Sequence, residues 1–261
     1  MRITPLKRYG QHFLTSPAVV QQITGAAGLA PGDTVLEIGP GQGVLTGQLL
    51  EKAGSVCAVE VDKRLAQSLR QSYHGDPRIT IVERDFLEID LDALLPGRFK
   101  VVANLPYYIT VPIIERLLEH RGRIDHIVVM VQKEMAARMA AIPGVKDYGS
   151  LSVFIQYYAT VEQLFDVPPG AFFPAPKVTS TVIKLIPRAA PPVAVADAAA
   201  FFAFVRAIFG YRRKMLRAVL KLCRGCDDTH LAALAKDSGI DLSRRAETLD
   251  MPALASLFKS L

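Results

Sequence analysis

Short apolar segments alternate with amphipathic segments from residue 33 to about residue 131. The short apolar runs predict buried strands, and apolar positions at helical spacing predict the helices between them. The predicted strands are residues 34–38, 56–61, 79–82, 100–103 and 127–131, and the predicted helices are residues 45–52, 63–73 and 113–118. Strands and helices that alternate at this spacing form βαβ crossovers. The pattern therefore predicts an α/β fold with a largely parallel sheet.

A second pattern follows residue 139. Residues 161–167 and 179–186 flank a proline-rich segment and predict an antiparallel strand pair that closes one side of the sheet. Residues 187–195 are rich in proline and predict an extended linker. Residues 198–209, 212–223, 229–237 and 252–259 all predict helices. We therefore expect two domains, residues 1–188 and residues 189–261, of which the second is small and helical.

The composition narrows the class of protein. Half of the residues are hydrophobic and 21% are charged, which is typical of a soluble globular protein. The longest apolar runs are too short to cross a bilayer, and no apolar stretch follows the basic residues near the start, so we expect neither a membrane span nor a secretory signal. Three cysteines are too few for a disulfide framework, which favours a reducing, cytoplasmic setting.

The net charge of +6 is concentrated in the C-terminal part, where residues 189–261 hold 11 basic and 7 acidic side chains. Such an excess indicates either a polyanionic partner or a well-solvated surface. Between Arg206 and Arg224 there are seven basic residues and no acidic one. If a helix begins at Arg212, one face carries the basic residues and the opposite face carries Leu216, Val219 and Leu220. The residues that we expect to bind RNA phosphates on that face are Arg213, Arg217, Lys221 and Arg224.

A glycine-rich turn follows the first predicted strand, with Gly39, Gly41 and Gly43 as its glycines. Their spacing matches neither the dinucleotide fingerprint G-x-G-x-x-G nor a phosphate-binding loop. A cofactor that has a ribose and no phosphates fits better. Glu60 ends the second strand, where a carboxylate accepts hydrogen bonds from ribose hydroxyls, and Asp85 follows the third, within reach of an adenine amino group. We interpret these strand ends together as an S-adenosylmethionine site.

The segment Asn104-Leu105-Pro106-Tyr107 follows the fourth strand and should face the same cleft. The amino nitrogen of adenine is a poor nucleophile because its lone pair is delocalised into the ring. The Asn104 side-chain oxygen and the Leu105 carbonyl would accept both amino hydrogens and stabilise the positive charge that develops on methyl transfer. Tyr107 would stack on a base taken out of its helix. An ordinary strand-to-helix turn is the alternative interpretation of this segment.

Two further segments have more than one interpretation. The prolines around Phe172 hold an extended loop, so this ring is either presented to a base or buried as a plug. Cys223 and Cys226 form half of a zinc pattern, but no second cysteine pair and no histidine pair at ligand spacing accompany them, so we expect no metal site.

Several motifs, taken in order, resemble those of the KsgA-type ribosomal RNA adenine dimethyltransferases, which are related to erythromycin-resistance methylases and mitochondrial transcription factor B proteins. The resemblance runs from about Lys7 to the C-terminus. Its motifs are Gly10-Gln11-His12-Phe13-Leu14, Glu37-Ile38-Gly39-Pro40-Gly41, Asn104-Leu105-Pro106-Tyr107, Gln132-Lys133-Glu134, Tyr148-Gly149-Ser150-Leu151-Ser152 and Pro174-Ala175-Pro176-Lys177-Val178. The family often has asparagine in place of His12.

The resemblance implies a Rossmann-like S-adenosylmethionine methyltransferase sheet with helices on both faces, followed by a helical domain that binds RNA and the ribosome. It implies that N6 of two adjacent adenosines near the 3′ end of small-subunit (16S) rRNA is dimethylated during late subunit assembly, by a monomer without a metal. Asn104 and the Leu105 carbonyl would hold the target amino group, and Tyr107 and Phe172 would sandwich the base. The residues implied to bind the cofactor are His12, Leu14, Gly39, Gly41, Glu60, Asp85 and Asn104.

Two alternatives to this function stay open at this point. The substrate could instead be large-subunit rRNA, with macrolide resistance as the result, or DNA. The protein could also act chiefly as an RNA-binding checkpoint of assembly, with catalysis secondary or lost. The intact Asn104 argues against that loss.

Overall fold

A computed structural model describes residues 4–6 and 9–261 of the chain. Lys7, where the family resemblance begins, lies outside the described residues. The chain divides into two compact units: unit 1 comprises residues 1–136 and 160–187, and unit 2 comprises residues 137–159 and 188–261. The division differs from the expected domains because residues 137–159 belong with the C-terminal helices.

Unit 1 is built on a seven-stranded sheet in the order β4-β3-β2-β5-β6-β9-β7, counted over the residues that the structure describes. The strands are β1 (Phe13–Leu14), β2 (Thr34–Ile38), β3 (Ser55–Glu60), β4 (Ile79–Glu83), β5 (Phe99–Asn104), β6 (Ile124–Gln132), β7 (Ala159–Val167), β8 (Phe172–Phe173) and β9 (Ser180–Pro187). The pairs from β4 across to β6 are parallel, and β9 is antiparallel to β6. Helices flank this sheet, so the predicted α/β fold is confirmed.

The helices are α1 (Pro17–Ala26), α2 (Val44–Leu50), α3 (Lys63–Ser72), α4 (Leu91–Leu94), α5 (Thr110–Glu119), α6 (Lys133–Ala140), α7 (Ser150–Tyr158), α8 (Ala198–Phe209), α9 (Leu216–Arg224), α10 (Asp228–Ser238) and α11 (Met251–Lys259). Helices α2, α3, α5, α8, α10 and α11 begin and end within about three residues of their predicted bounds, whereas α4, α6 and α7 were not predicted. Aspartate side chains accept hydrogen bonds from the first free N–H groups of several of these helices, as Asp62 does for α3 and Asp250 for α11. Among the described residues, no helix is long and apolar enough to cross a membrane.

A two-residue ribbon lies outside the main sheet. Strand β1 pairs antiparallel with β8, which sets Leu14 opposite Phe172 and Phe13 opposite Phe173. The ribbon is extended by a hydrogen bond from the Thr15 N–H to the Ala171 carbonyl, 2.8 Å long. It fixes the polypeptide before α1 at the loop between β7 and β9.

Unit 2 is a helical bundle with its own apolar core. Phe201, Leu216, Leu220 and Leu257 are fully or almost fully buried in it. Helix α7 packs with α8 through side chains such as Val153, which is why residues 137–159 join this unit. The Tyr148 hydroxyl donates to the Leu249 carbonyl at 3.1 Å within the same unit.

Helix α9 begins at Leu216, so the prediction that it begins at Arg212 is wrong. The N–H groups of Leu216 and Arg217 donate to the carbonyls of Arg244 and Leu242, and Met215 has extended backbone angles. These bonds satisfy N–H groups that the first turn of a helix leaves unpaired, and they fix the helix start there. Arg213 consequently lies in the turn before α9.

Candidate active site

The carboxyl ends of β2, β3 and β5 open into a cleft in unit 1. The polypeptide from Tyr9 to Leu14 and the turn after β4 also line it. The predicted residues that the structure brings to this cleft are His12, Leu14, Gly39, Gly41, Glu60, Asp85, Asn104, Leu105 and Tyr107. A cleft at this end of a parallel sheet is where ligands of such folds bind.

The glycine turn between β2 and α2 is shaped for close approach by a ligand. Gly39, Gly41 and Gly43 have φ values of 69°, 60° and 81°. Residues with a Cβ rarely adopt this backbone conformation. A Cβ on Gly41 would also lie 3.1 Å from the Phe13 ring. The turn therefore needs glycine both for its backbone angles and for the space that Phe13 takes.

Two buried carboxyl groups lie beside this turn. Glu60 is 4% exposed, and its two oxygens accept from the N–H groups of Gly41 at 3.1 Å and Asp62 at 2.9 Å. Burial raises the pKa of Glu60, whereas these backbone bonds lower it. The lone pairs that remain on both oxygens fit the recognition of ribose hydroxyls.

Glu37 was not assigned a role from the sequence beyond its place in a motif. It is 1% exposed, and the Thr46 hydroxyl donates to its carboxyl at 2.6 Å. Burial raises its pKa to about 8, and the nearby Glu60 acts in the same direction. At neutral pH this wall of the cleft therefore holds a neutral acid beside Glu60.

Asp85 and Gln11 anchor two other parts of the cleft. The Asp85 carboxyl accepts from the Leu87 N–H at 2.9 Å and so fixes the turn after β4. The Gln11 amide donates to Asp62 at 3.1 Å, which ties the polypeptide before β1 to the start of α3. Sequence reasoning missed the contact of Gln11 because its partner lies 51 residues away.

Asn104 ends β5, and its amide is oriented by one contact. The Nδ2 atom donates to the His12 carbonyl at 3.2 Å. With its donor engaged there, the Oδ1 atom serves as the acceptor of the amide. Pro106 follows with φ −60° and ψ 125°, and its carbonyl accepts from the Thr110 hydroxyl at 3.1 Å, which fixes the turn into α5.

Tyr107 is half-buried and makes two contacts. Its hydroxyl lies 2.6 Å from the hydroxyl of Ser180 at the start of β9. Its ring stacks with the His12 ring, with centroids 5.9 Å apart and planes 24° apart. Nδ1 of His12 lies 2.7 Å from the Pro174 carbonyl. His12 thus contacts both segments predicted to hold the base: its carbonyl and ring contact Asn104 and Tyr107, and its Nδ1 contacts Pro174.

Phe172 does not reach the cleft, so the predicted sandwich of a base between Tyr107 and Phe172 is not formed in this structure. Phe172 is 5% exposed and packs in the core of unit 1 with Leu14 and Val20. Successive side chains of a strand point to opposite faces, and Phe173 is accordingly 55% exposed. The alternative of a buried plug describes Phe172 correctly.

The four predicted RNA-binding residues lie in unit 2 and are exposed. Arg217, Lys221 and Arg224 follow one face of α9, but Lys221 pairs with Asp228 at 2.6 Å and Arg224 lies over the Phe204 ring at 5.8 Å. Leu216, Val219 and Leu220 form the buried face, as predicted. No group of three or more potential metal ligands occurs among the described residues.

Comparison with known proteins identifies a family model and close relatives that match nearly the whole chain. The family model described as ribosomal RNA adenine dimethylase matches residues 5–261. A protein of Moorella thermoacetica named ribosomal RNA small subunit methyltransferase A is 44% identical, over 99% of this chain and 93% of the relative. The protein of the same name from Magnetococcus marinus is 45% identical, over 98% of this chain and 91% of the relative.

Two solved structures agree over nearly the whole chain. A dimethyladenosine transferase from Plasmodium falciparum is 27% identical with a TM-score of 0.77, and covers 94% of this chain and 96% of its own. The 23S rRNA methyltransferase ErmE is 30% identical with a TM-score of 0.73, and covers 95% of this chain and 99% of its own. The likeness therefore extends through both units.

Proposed function

The chain belongs to the ribosomal RNA adenine dimethylase family, and we propose that its substrate is a pair of adjacent adenosines near the 3′ end of small-subunit rRNA. As a member of this family it is an S-adenosylmethionine-dependent rRNA adenine dimethyltransferase. Each adenosine would receive two methyl groups at N6, and the reaction would take place late in small-subunit assembly.

The choice of subunit rests on the names of the relatives. Those at 44% and 45% identity are named for the small subunit, whereas ErmE, named for 23S rRNA, is 30% identical. A DNA substrate has no comparable support among them. We therefore favour small-subunit rRNA over large-subunit rRNA and DNA.

The residues of the cleft fit S-adenosylmethionine, which supplies an electrophilic methyl group on a sulfonium when bound. Gly39 and Gly41 would let the cofactor approach the backbone, and Glu60 would accept from its ribose hydroxyls. Asp85 would accept from the adenine amino group, while His12 and Leu14 would close the cleft from the β1 side. Asn104 would line the same site.

The observation that carries the proposed mechanism is the orientation of Asn104. Because its Nδ2 is held by the His12 carbonyl, its Oδ1 accepts a hydrogen from the target amino group, and the Leu105 carbonyl accepts the other. These two hydrogen bonds favour a pyramidal nitrogen in the target amino group, whose lone pair is then available for methyl transfer. The same two oxygens stabilise the positive charge that develops on the nitrogen during transfer. Tyr107 would stack on the extruded base.

Unit 2 would bind the RNA of the small ribosomal subunit. Arg213 in the turn before α9 and Arg217, Lys221 and Arg224 on the helix would contact phosphates, which position the enzyme without reading sequence. We further propose that the enzyme acts as a monomer in the cytoplasm and without a metal.

The test uses purified protein, labelled S-adenosylmethionine and small subunits from a strain that lacks adenine dimethylation. Dimethyladenosine identified by mass in the digested RNA supports the proposal, and already methylated subunits serve as the control. Asn104→Ala should abolish methylation with subunit binding retained. Subunit binding without methylation by the wild-type protein would instead indicate an assembly checkpoint. Methylation by Asn104→Ala at the wild-type rate would refute the role given to Asn104.

A further inference from the structure

We propose that Ser180 and His12 are positioning residues that hold the Tyr107 ring in a clamp, Ser180 at its hydroxyl and the His12 ring against one of its faces. The inference rests on the proposed function in one respect: the ring that is held is the one proposed to stack on the target base. The Ser180 hydroxyl takes no other part in the proposed mechanism, and His12, which would also close the cofactor cleft, gains through its ring a second role toward Tyr107.

The Ser180 side of the clamp is a short hydrogen bond that is shielded from solvent. Ser180 is 0% exposed, and its hydroxyl lies 2.6 Å from that of Tyr107. A phenol is protonated at neutral pH, and burial raises the pKa of Tyr107 further, so either of the two hydroxyls is able to donate. A hydroxyl buried without a partner carries a desolvation cost, so each of these two groups stabilises the position of the other.

Strand pairing fixes Ser180 itself. Ser180 is paired with Gln132 across the β6–β9 ladder, at the end of the sheet that faces the cleft. The next residue, Thr181, donates its hydroxyl to Asp166 at 2.7 Å. Side chains alternate along a strand, so only one of these two neighbouring hydroxyls is directed to Tyr107. Thr181 therefore provides a matched control.

The His12 side of the clamp is an aromatic ring that stacks with the Tyr107 ring. The His12 and Tyr107 rings are nearly parallel, and Nδ1 of His12 lies 2.7 Å from the Pro174 carbonyl. A histidine whose Nδ1–H donates to a carbonyl has its ring plane fixed by that bond. Asparagine at this position would keep the backbone carbonyl that orients Asn104 but would have no ring to stack on Tyr107.

The clamp predicts coupled effects in a double-mutant cycle of Ser180→Ala and Tyr107→Phe. Loss of one hydrogen bond should lower kcat/KM for small-subunit methylation by roughly 5- to 10-fold in either variant. The double variant should be no worse than either single variant, because both changes remove the same interaction. The effect should be on kcat or on KM for the subunit, while the affinity for S-adenosylmethionine measured by calorimetry stays within about twofold. Thr181→Val should leave all of these quantities unchanged.

A second measurement does not depend on methylation. In protein with labelled tyrosine, the ring-flip rate of Tyr107 measured by NMR should rise in Ser180→Ala and in His12→Asn, whereas His12→Phe should restore part of the restraint. Multiplicative losses in the cycle, or ring-flip rates equal to those of wild type and Thr181→Val, would overturn the clamp. Should the wild-type protein methylate nothing, the proposed function would fail, and the ring-flip rates would still decide whether the clamp exists.

Discussion

At the scale of single residues, Glu37 has a charge state that its surroundings control. It is 1% exposed, and burial raises its pKa to about 8 from an ordinary value of 4.5. Between these pH values the folded protein binds a proton that the unfolded chain has released, so stability falls as pH rises through this window. This decrease in stability approaches a tenfold change of the unfolding equilibrium constant per pH unit, and it ends above about pH 8.

Glu37→Gln should remove this dependence. Glutamine keeps the size of the side chain and an oxygen that accepts from Thr46, yet it has no charge to desolvate. We expect a variant that is more stable than the wild type at pH 8 and close to it at about pH 4, as measured by denaturant unfolding at both pH values. Parallel pH profiles of the two proteins would show that Glu37 is not the group that titrates.

Sequence reasoning correctly placed at the cleft those predicted site residues that lie at a strand end. Gly39, Glu60 and Asn104 each lie directly after or at the end of a parallel strand, and strand ends of one sheet meet at one cleft. Phe172 was predicted at the cleft but is buried. Which of the two β8 side chains faces the core depends on how β8 pairs with β1, and the sequence does not show this pairing. The contact of Ser180 with Tyr107 joins residues 73 apart, and no local pattern announces it.

At the scale of elements, sequence patterns located the parallel strands well because each is a short apolar run between polar turns. Helix α7 was not predicted. Its sequence Ser150–Tyr158 is rich in aromatic and β-branched residues, and it is helical because it packs in the core of unit 2. The start of α9 was set four residues too early, since the bonds that fix it come from residues 242 and 244.

The basic residues on α9 and in the turn before it allow a prediction at this scale. Arg213→Glu with Arg217→Glu should weaken binding to the small subunit and lower the slope of log affinity against log salt by about two, because each lost phosphate contact removes about one. Lys236→Glu on α10 changes an exposed charge outside this surface and is the control. The affinities are measured by filter binding over a series of salt concentrations. An unchanged slope in the double variant would argue against phosphate contacts here.

At the scale of the whole molecule, the two units have separate apolar cores. Leu49 of α2 is buried in unit 1, and Leu220 of α9 is buried in unit 2, both at 0% exposure. The linker at residues 187–195 was predicted from its prolines, yet unit 2 also includes residues 137–159. That division could not be predicted, because membership of a core depends on contacts between segments far apart in sequence.

The separate cores predict separable losses of function. Leu49→Ala and Leu220→Ala each leave a cavity that costs about 2–5 kcal/mol, but in different units. Leu49→Ala loosens the packing of α2, the helix that follows the glycine turn, and should weaken binding of S-adenosylmethionine. Leu220→Ala should weaken binding to the small subunit while the affinity for the cofactor, measured by calorimetry, stays within about twofold. Equal loss of cofactor binding in both variants would mean that the cleft in unit 1 depends on the core of unit 2, and the assignment of one function to each unit would then fail.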